Sequence, residues 1–258
     1  MTYLLDRSVV ADSATMFRRD LRHMVRFPLM TISGIGFPCL MLLLFTYVLG
    51  GAIGGGHGGY VDYIVPGILI MTVGGGGAAT AINVNSDMTE GVIARLRTMA
   101  VSRTSVLAGQ VAGSLLRTVL SLALVVGVAV LAGFRSHAGL GGWLAVTGLL
   151  MLLALGVSWL TVAIGLVAKT PAGANSSSLL FQFGPFVSSA FVPTDTMSRG
   201  IRWFAEFQPF TPIIDTIRNL LAGAPAGTTW ISAVAWCLAF AAIGILWSRS
   251  AFLRLPTR

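Results

Sequence analysis

The run YIVPGILIMTVGGGGAATAINVNS, residues 63–86, holds no charged side chain. A helix that crosses a bilayer needs about 20 mostly apolar residues, and this run is long enough. Its four consecutive glycines, Gly74 to Gly77, and its Pro66 would weaken a helix in water, whereas membrane helices tolerate both better. The glycines read first as a place where helices approach closely, and second as a smooth wall for a solute path. Five other runs are apolar enough to join it as spans: residues 29–53, 105–134, 143–168, 174–192 and 229–248. The fold expected is therefore an all-α integral membrane protein with six transmembrane helices.

Composition agrees. Of 258 residues, 55% are hydrophobic and 10% are charged, against roughly 25% charged in a soluble domain. Most of the surface must meet lipid, and a second soluble catalytic domain has no room. Residues 1–27 are polar, unlike a cleavable signal, whose apolar run follows a short basic start. Cys39 and Cys237 lie inside apolar runs, where a thiol is a small hydrophobe. Sixteen of the 17 basic residues are arginine, and glycine and alanine are abundant, which reads as a bacterial gene.

Charge placement gives the orientation. With the N-terminus in the cytoplasm, the inner segments hold twelve basic residues and five acids, and the outer segments four of each. That is the positive-inside pattern. It accounts for the net charge of +8 without nucleic acid, and it puts both termini in the cytoplasm of a multi-pass plasma-membrane protein.

Three segments between the spans carry more information. In residues 13–27, Phe17, Leu21, Met24 and Val25 share one arc, while Arg18, Arg19, Arg22, His23 and Arg26 fill the other. This is an amphipathic basic helix for a membrane surface, ended by Pro28. In residues 87–103, Asp87 and Glu90 are spaced like a capping pair at a helix start, with Ile93, Leu96 and Ala100 on one face beside Arg95 and Arg97. The loop reads either as a docking element for a cytoplasmic partner or as an ordinary positive-inside connector. In residues 193–227, Trp203, Phe204, Phe207 and Phe210 mix with charges and prolines. Short helices at 201–207 and 212–221 would dip into the outer leaflet and lid a pathway, or hold the loop in an aromatic belt.

Gly109, Gly113 and Arg117 fall four apart on one stripe of the third span. The glycines favour close helix approach. Arg117 is either a functional charge or a snorkelling one at the cytoplasmic surface. No metal-ligand spacing, Ser/His/Asp set or intramembrane acid is visible. GLVAKT, residues 165–170, lacks the glycine before Lys169 that a phosphate loop needs. Transport driven by ATP would need another chain to bind it.

EGVIARLRTMAVSRTSVLAGQ, residues 90–110, resembles the segment after the second span of ABC-2 type transporter permeases, with Ala100 where proline is common. FVPTDTMSRGIRWFAEFQPFTPIIDTIRNLLAG, residues 191–223, is similar to the family's signature: Phe-x-Pro, a short helix, Gln-Pro, then an Asp and an Arg before a Gly. Ser198 replaces a second proline. Span number and order extend the resemblance over essentially the whole chain, and within the family it looks most like daunorubicin-resistance-type drug exporter permeases.

That resemblance implies roles. Phe17, Arg18, Leu21, Arg22 and Arg26 would belong to a connecting helix at an ATPase surface. Glu90, Gly91, Arg95, Leu96, Arg97, Val101, Ser102 and Arg103 would form a coupling helix seated on that ATPase. Residues 191–223 would form re-entrant extracellular helices, with Phe191, Pro193, Phe210 and Pro212 as gate candidates. Two permease chains, expected to be a homodimer in the lipid, would flank a path lined by the second and fifth spans. Asn83, Asn85, Phe181, Gln182, Phe183 and Phe186 are wall candidates by position. Two copies of an ABC ATPase would bind ATP and Mg below, this chain holding no cofactor or metal. The function expected is efflux of a hydrophobic or amphipathic solute, with a lipid-linked glycan as another cargo. The competing classes are an ion-gradient-driven transporter or channel, which would need ionisable groups in spans, and an intramembrane enzyme, which would need a nucleophile and base.

Overall fold

The computed structural model describes residues 28–50, 57–89 and 103–253. Among these, the chain is helical throughout, without strands. α1 is Pro28–Leu43 and continues as a π-helical turn, Leu44–Leu49. α2 is His57–Thr89, α3 Arg103–Leu131, α4 Leu140–Val167 and α5 Pro171–Phe183. Two short helices, α6 (Arg199–Phe207) and α7 (Phe210–Leu221), precede α8, Thr229–Leu253.

Four described helices are long and apolar enough to cross a membrane: α2, α3, α4 and α8. The fifth apolar run differs from its expected extent. Its regular helix spans 13 residues and ends at Phe183 instead of reaching Val192. At 1.5 Å per residue that is about 20 Å, short of a hydrocarbon core of about 30 Å. The reason is Gly184-Pro185: proline has no N–H to donate and its ring crowds the preceding turn.

One further expectation is corrected. Asp87 lies in the last turn of α2, not at the start of a loop helix, and accepts a hydrogen bond from Gln110 Nε2 (2.6 Å) at the other end of the same connection. An acid near a helix C-terminus is electrostatically unfavourable, so the bond to α3 compensates it. α3 is one continuous helix with Arg117 at its middle.

α2 is the central shaft, with α1, α3, α4 and α5 all packed against it. Lipid tails are as apolar as leucine, so helices in a membrane gain little from hydrophobicity alone and associate through close packing and polar contacts. The tetraglycine supplies the close packing in three directions. A methyl group on Gly74 would lie 2.7 Å from Gln182 Cα and closer still to the Phe181 carbonyl, on the α5 backbone. One on Gly76 would lie 2.7 Å from Thr118 Oγ1 of α3, and one on Gly77 2.6 Å from Val157 of α4.

Beside these glycines a buried hydroxyl chain joins three helices. Thr80 Oγ1 donates to Ser114 Oγ (2.7 Å), which pairs with Ser158 Oγ at 3.0 Å. Such bonds between membrane helices contribute about 0.6 kcal/mol each and at most about 1.7. α8 is held on α4 by an approach of the same kind, since a methyl on Gly244 would lie 2.6 Å from the Leu160 nitrogen. Its other face exposes Ile231, Leu238, Ile243 and Leu246. Trp230 and Trp247 flank that face, about 25 Å apart at 1.5 Å per residue, which matches tryptophans at the two membrane interfaces.

The glycine contacts are testable. Gly74→Ala is expected to cost about 1–3 kcal/mol, as overpacking does. In detergent it should lower the unfolding temperature by about 2–4 °C per kcal/mol. Gly127→Ala on the exposed face of α3, where nothing lies within 4 Å, should leave it unchanged or raise it.

Candidate functional site

The end of α5 is where the helical ladder fails. Gly184–Val187 form a single 3₁₀ turn, and residues 188–191 follow without a helix of their own. Non-helical backbone at membrane depth persists only where protein or a water cavity covers it. Here side chains from α2, α7 and the α6–α7 junction supply the cover. Tyr63 Oη donates to Ser189 O (3.0 Å), and Tyr60 Oη to Phe191 O (3.3 Å). Gln208 Nε2 donates to Val187 O. Ser188 Oγ accepts from Ala190 N at 3.2 Å.

Arg218 of α7 sits at the centre of this arrangement. Its Nη2 donates to Ser189 O at 2.6 Å and to Tyr63 O at 3.3 Å, and its Nη1 to Asp215 Oδ1 at 2.7 Å. Ser189 Oγ donates to the same Asp215 oxygen at 2.7 Å. The guanidinium lies 3.9 Å from the centroid of the Tyr63 ring, a cation–π contact. α2, α7 and the broken segment are thereby tied at one point. Arg218 and Asp215 side chains are 20% and 34% exposed, so the pair is not sealed within the protein.

α7 is positioned for this by its pattern. Phe210, Ile213, Ile214, Ile217 and Leu221 are buried, and the helix packs between α2, α4 and α8. The Phe210 ring rests directly on Gly184, where a β-carbon would collide with it. Its last carbonyl, Leu221 O, is satisfied by His137 N (2.9 Å) and Ser136 Oγ (3.0 Å) from the α3–α4 connection. Gly223 then turns the chain at φ +73, a left-handed conformation that suits glycine. α6 is different. Only Ala205 is buried, while Ile201, Trp203, Phe204 and Phe207 are exposed on one side and Arg202 pairs with Glu206 (2.7 Å) on the other. The hydrogen bond and charge of Glu206 hold the Arg202 pKa above its ordinary value.

Below the break, an aromatic seam joins α1 to the end of α5. Phe45 stacks on Phe191 (4.4 Å between centroids) and Phe191 on Phe186 (4.8 Å). Phe186 meets Phe183 at 5.9 Å, and Phe183 meets Phe37 edge-on at 5.5 Å. Leu180, Phe183 and Val187 are exposed beside it, one helical face with no charge.

The residues singled out by sequence divide accordingly. Phe183, Phe186 and Phe191 come together in the seam, while Phe210 rests on Gly184 and meets Phe240 of α8 at 6.5 Å. Phe181 lies against Phe240 of α8 (6.1 Å), with its backbone and that of Gln182 pressed on Gly74. Asn83 is half-buried on a stripe of α2 with Ala79 and Ser86. Asn85 is 1% exposed and donates to Gly165 O (3.1 Å) and Ala168 O (2.6 Å), closing the seam to α4. Pro193 is exposed and Pro212 half-buried, and their carbonyls accept from Thr196 and Thr216 in local turns. Gly109 and Gly113 are buried, and Arg117 is half-buried, on α3. Phe17, Arg18, Leu21, Arg22 and Arg26 lie outside the described residues, as do Glu90, Gly91, Arg95, Leu96, Arg97, Val101 and Ser102. Arg103 opens α3.

The Tyr63, Ser189, Asp215 and Arg218 constellation was not read from sequence as a site. The available signal was the charge pair three apart in the otherwise apolar α7, FTPIIDTIRNLL.

The pattern of the ABC-2 type transporter family matches residues 13–222. The chain is 31% identical over 220 residues to the daunorubicin resistance ABC transporter permease protein DrrB1 of Streptomyces coeruleorubidus, covering 84% of this chain and 77% of that one. It is 25% identical over 231 residues to the probable doxorubicin resistance ABC transporter permease protein DrrC of Mycobacterium tuberculosis, covering 89% and 84%. With its apolar helices and the signature segment folded into α6 and α7, this chain belongs to the ABC-2 type transporter family and is a multi-pass membrane protein.

Proposed function

We propose that the chain is the permease subunit of an ATP-driven exporter of amphipathic or apolar solutes. The observation that carries this is the likeness, over most of its length, to permeases named for resistance to daunorubicin and doxorubicin. The aromatic seam of Phe37, Phe45, Phe183, Phe186 and Phe191 supports it, since a planar apolar solute is favoured by stacking rings and by an uncharged α5 face. In this reading two copies of the chain face one another across a path. It is bordered by the exposed face of α5 and by the Asn83 stripe of α2.

Six spans leave both termini in the cytoplasm of the bacterial plasma membrane. α6 lies in the outer leaflet with Trp203, Phe204 and Phe207 toward lipid, and α7 re-enters the bundle. Two copies of an ABC ATPase bind ATP and Mg on the cytoplasmic side. Residues 13–27 and 90–103 touch them, and closure of the ATPases moves the loop between α2 and α3. The Asp87–Gln110 bond joins the two helix ends flanking that loop, so its displacement reaches both helices together.

Inside-out vesicles carrying the chain with its ATPase are expected to accumulate doxorubicin, measured by fluorescence quenching, only when ATP is supplied. Accumulation that follows a proton or sodium gradient without the ATPase would sink the reading. Within the same vesicles, Glu90→Ala or Arg97→Ala should leave membrane insertion and ATP hydrolysis in place while transport falls. A coupling energy of about 1–3 kcal/mol corresponds to a drop of roughly 5- to 150-fold. Equal loss of both activities would argue against a coupling role for the loop.

A further inference from the structure

The segment after α5 is held mainly by side chains, and the Arg218 side chain makes more hydrogen bonds than any other in the cluster, one to the segment at Ser189 O and the rest to its neighbours Tyr63 O and Asp215. We propose that Arg218 is the latch of the outer end. While its guanidinium bridges Ser189 O, Tyr63 O and Asp215, residues 184–191 stay pressed on α2 and the outer end is closed. Release of the bridge lets the segment move as one piece. This deepens the exporter reading, on which it rests for the direction of transport.

Four observations carry it. The segment hangs from Gly184-Pro185, where the α5 ladder has already ended, so it can swing without unravelling α5 or α7. Its seat on α2 is specific: Ala190 fits where Gly67 has no side chain, with its Cβ 2.5 Å from the place a β-carbon would occupy. Release strands little. Ser189 O keeps the Tyr63 hydroxyl, Asp215 keeps the Ser189 hydroxyl, and Tyr63 O lies within the α2 ladder. A buried acceptor left without any partner would be costly, so the retained partners keep the unlatched state close in energy to the latched one, and the Tyr63 and Tyr60 bonds to Ser189 O and Phe191 O part only when the segment then leaves α2. Finally, Arg218 and Asp215 are part-exposed, so opening the bridge does not leave either charge sealed inside the protein. Arg218 is thus a positioning residue, acting through Ser189 on the backbone that covers the path.

Ser188 is 1% exposed, and cysteine there is close to isosteric. In the full chain with Cys39→Ala and Cys237→Ala, Ser188→Cys reports opening through its rate of reaction with a membrane-impermeant maleimide added outside intact cells. The parent is expected to react slowly. Asp215→Asn removes the ion pair but keeps an acceptor oxygen. Arg218→Lys keeps the charge but loses the planar fork. Each should speed labelling about tenfold, the population shift that losing one charge-assisted contact produces in a two-state element. Equal rates in the three proteins would overturn the latch.

The same variants with Cys237 retained and Ser188 unchanged separate a latch from a folding staple. A permeant maleimide should leave Cys237, buried in the α4–α8 seam, as slow as in the parent. A parallel rise at Cys237 would also overturn the proposal. Adding the ATPase subunit keeps the two ideas apart. If ATP never changes the parent rate while Asp215→Asn still opens the segment, the exporter reading fails and the latch stands. If ATP turnover speeds the parent but, without ATP, the variants label no faster than the parent, the latch fails and the exporter reading stands.

Discussion

A backbone amide or carbonyl inside a membrane needs a partner within the protein. That constraint organises the outer half of this chain. Gly184-Pro185 ends α5 too early for a full crossing, and residues 188–191 run on without a ladder. Tyr60 and Tyr63 of α2, Gln208, and Arg218 of α7 are placed where they answer it. α7 must therefore enter the bundle instead of lying on it, and that accounts for its row of buried isoleucines. Phe210 caps the break because Gly184 leaves room for a ring.

The inner half obeys the other rule of the lipid environment, that apolar side chains alone do not choose neighbours. α2 chooses them by removing side chains. Gly74, Gly76 and Gly77 meet α5, α3 and α4 in turn, and the Thr80–Ser114–Ser158 hydroxyls fix the register beside them. α2 runs as one helix from Tyr63, beside the break after α5, to Asp87, which is bonded to Gln110. In the proposed exporter, a displacement at the Asp87 end has a direct route to that break. The two ends of the proposed machine thus share one helix.

Likeness to drug-resistance permeases sets the class of function, and the geometry adds where a solute of that class would be met. The aromatic seam and the uncharged face of α5 lie immediately inside the broken segment. A solute that stacks on rings would therefore arrive next to the one stretch of described backbone held mainly by side chains.

Sequence by itself determined what local chemistry determines. Runs such as 63–86 are long and uncharged enough to demand a membrane. Arginine placement points to an orientation, GLVAKT lacks the glycine of a phosphate loop, and the 90–110 and 191–223 motifs point to the family that the comparisons establish. Tertiary structure decided what depends on neighbours. Asn85 looks like Asn83 in sequence, yet only the packing of α4 makes it a clamp on Gly165 O and Ala168 O. Pro185 looks like Pro66, but Pro66 is absorbed within α2 while Pro185, after a glycine, ends α5 because α7 and α2 offer its backbone other partners. Arg218 reads in sequence as one outer charge among four and as the Arg of the 191–223 signature, with no contact assigned to it. It becomes the keystone of the outer end only because folding brings Tyr63, 155 residues away, and Ser189, 29 away, within reach of one guanidinium. Side-chain hydrogen bonds of that range leave no periodicity in the chain, and so they are visible only once it has folded.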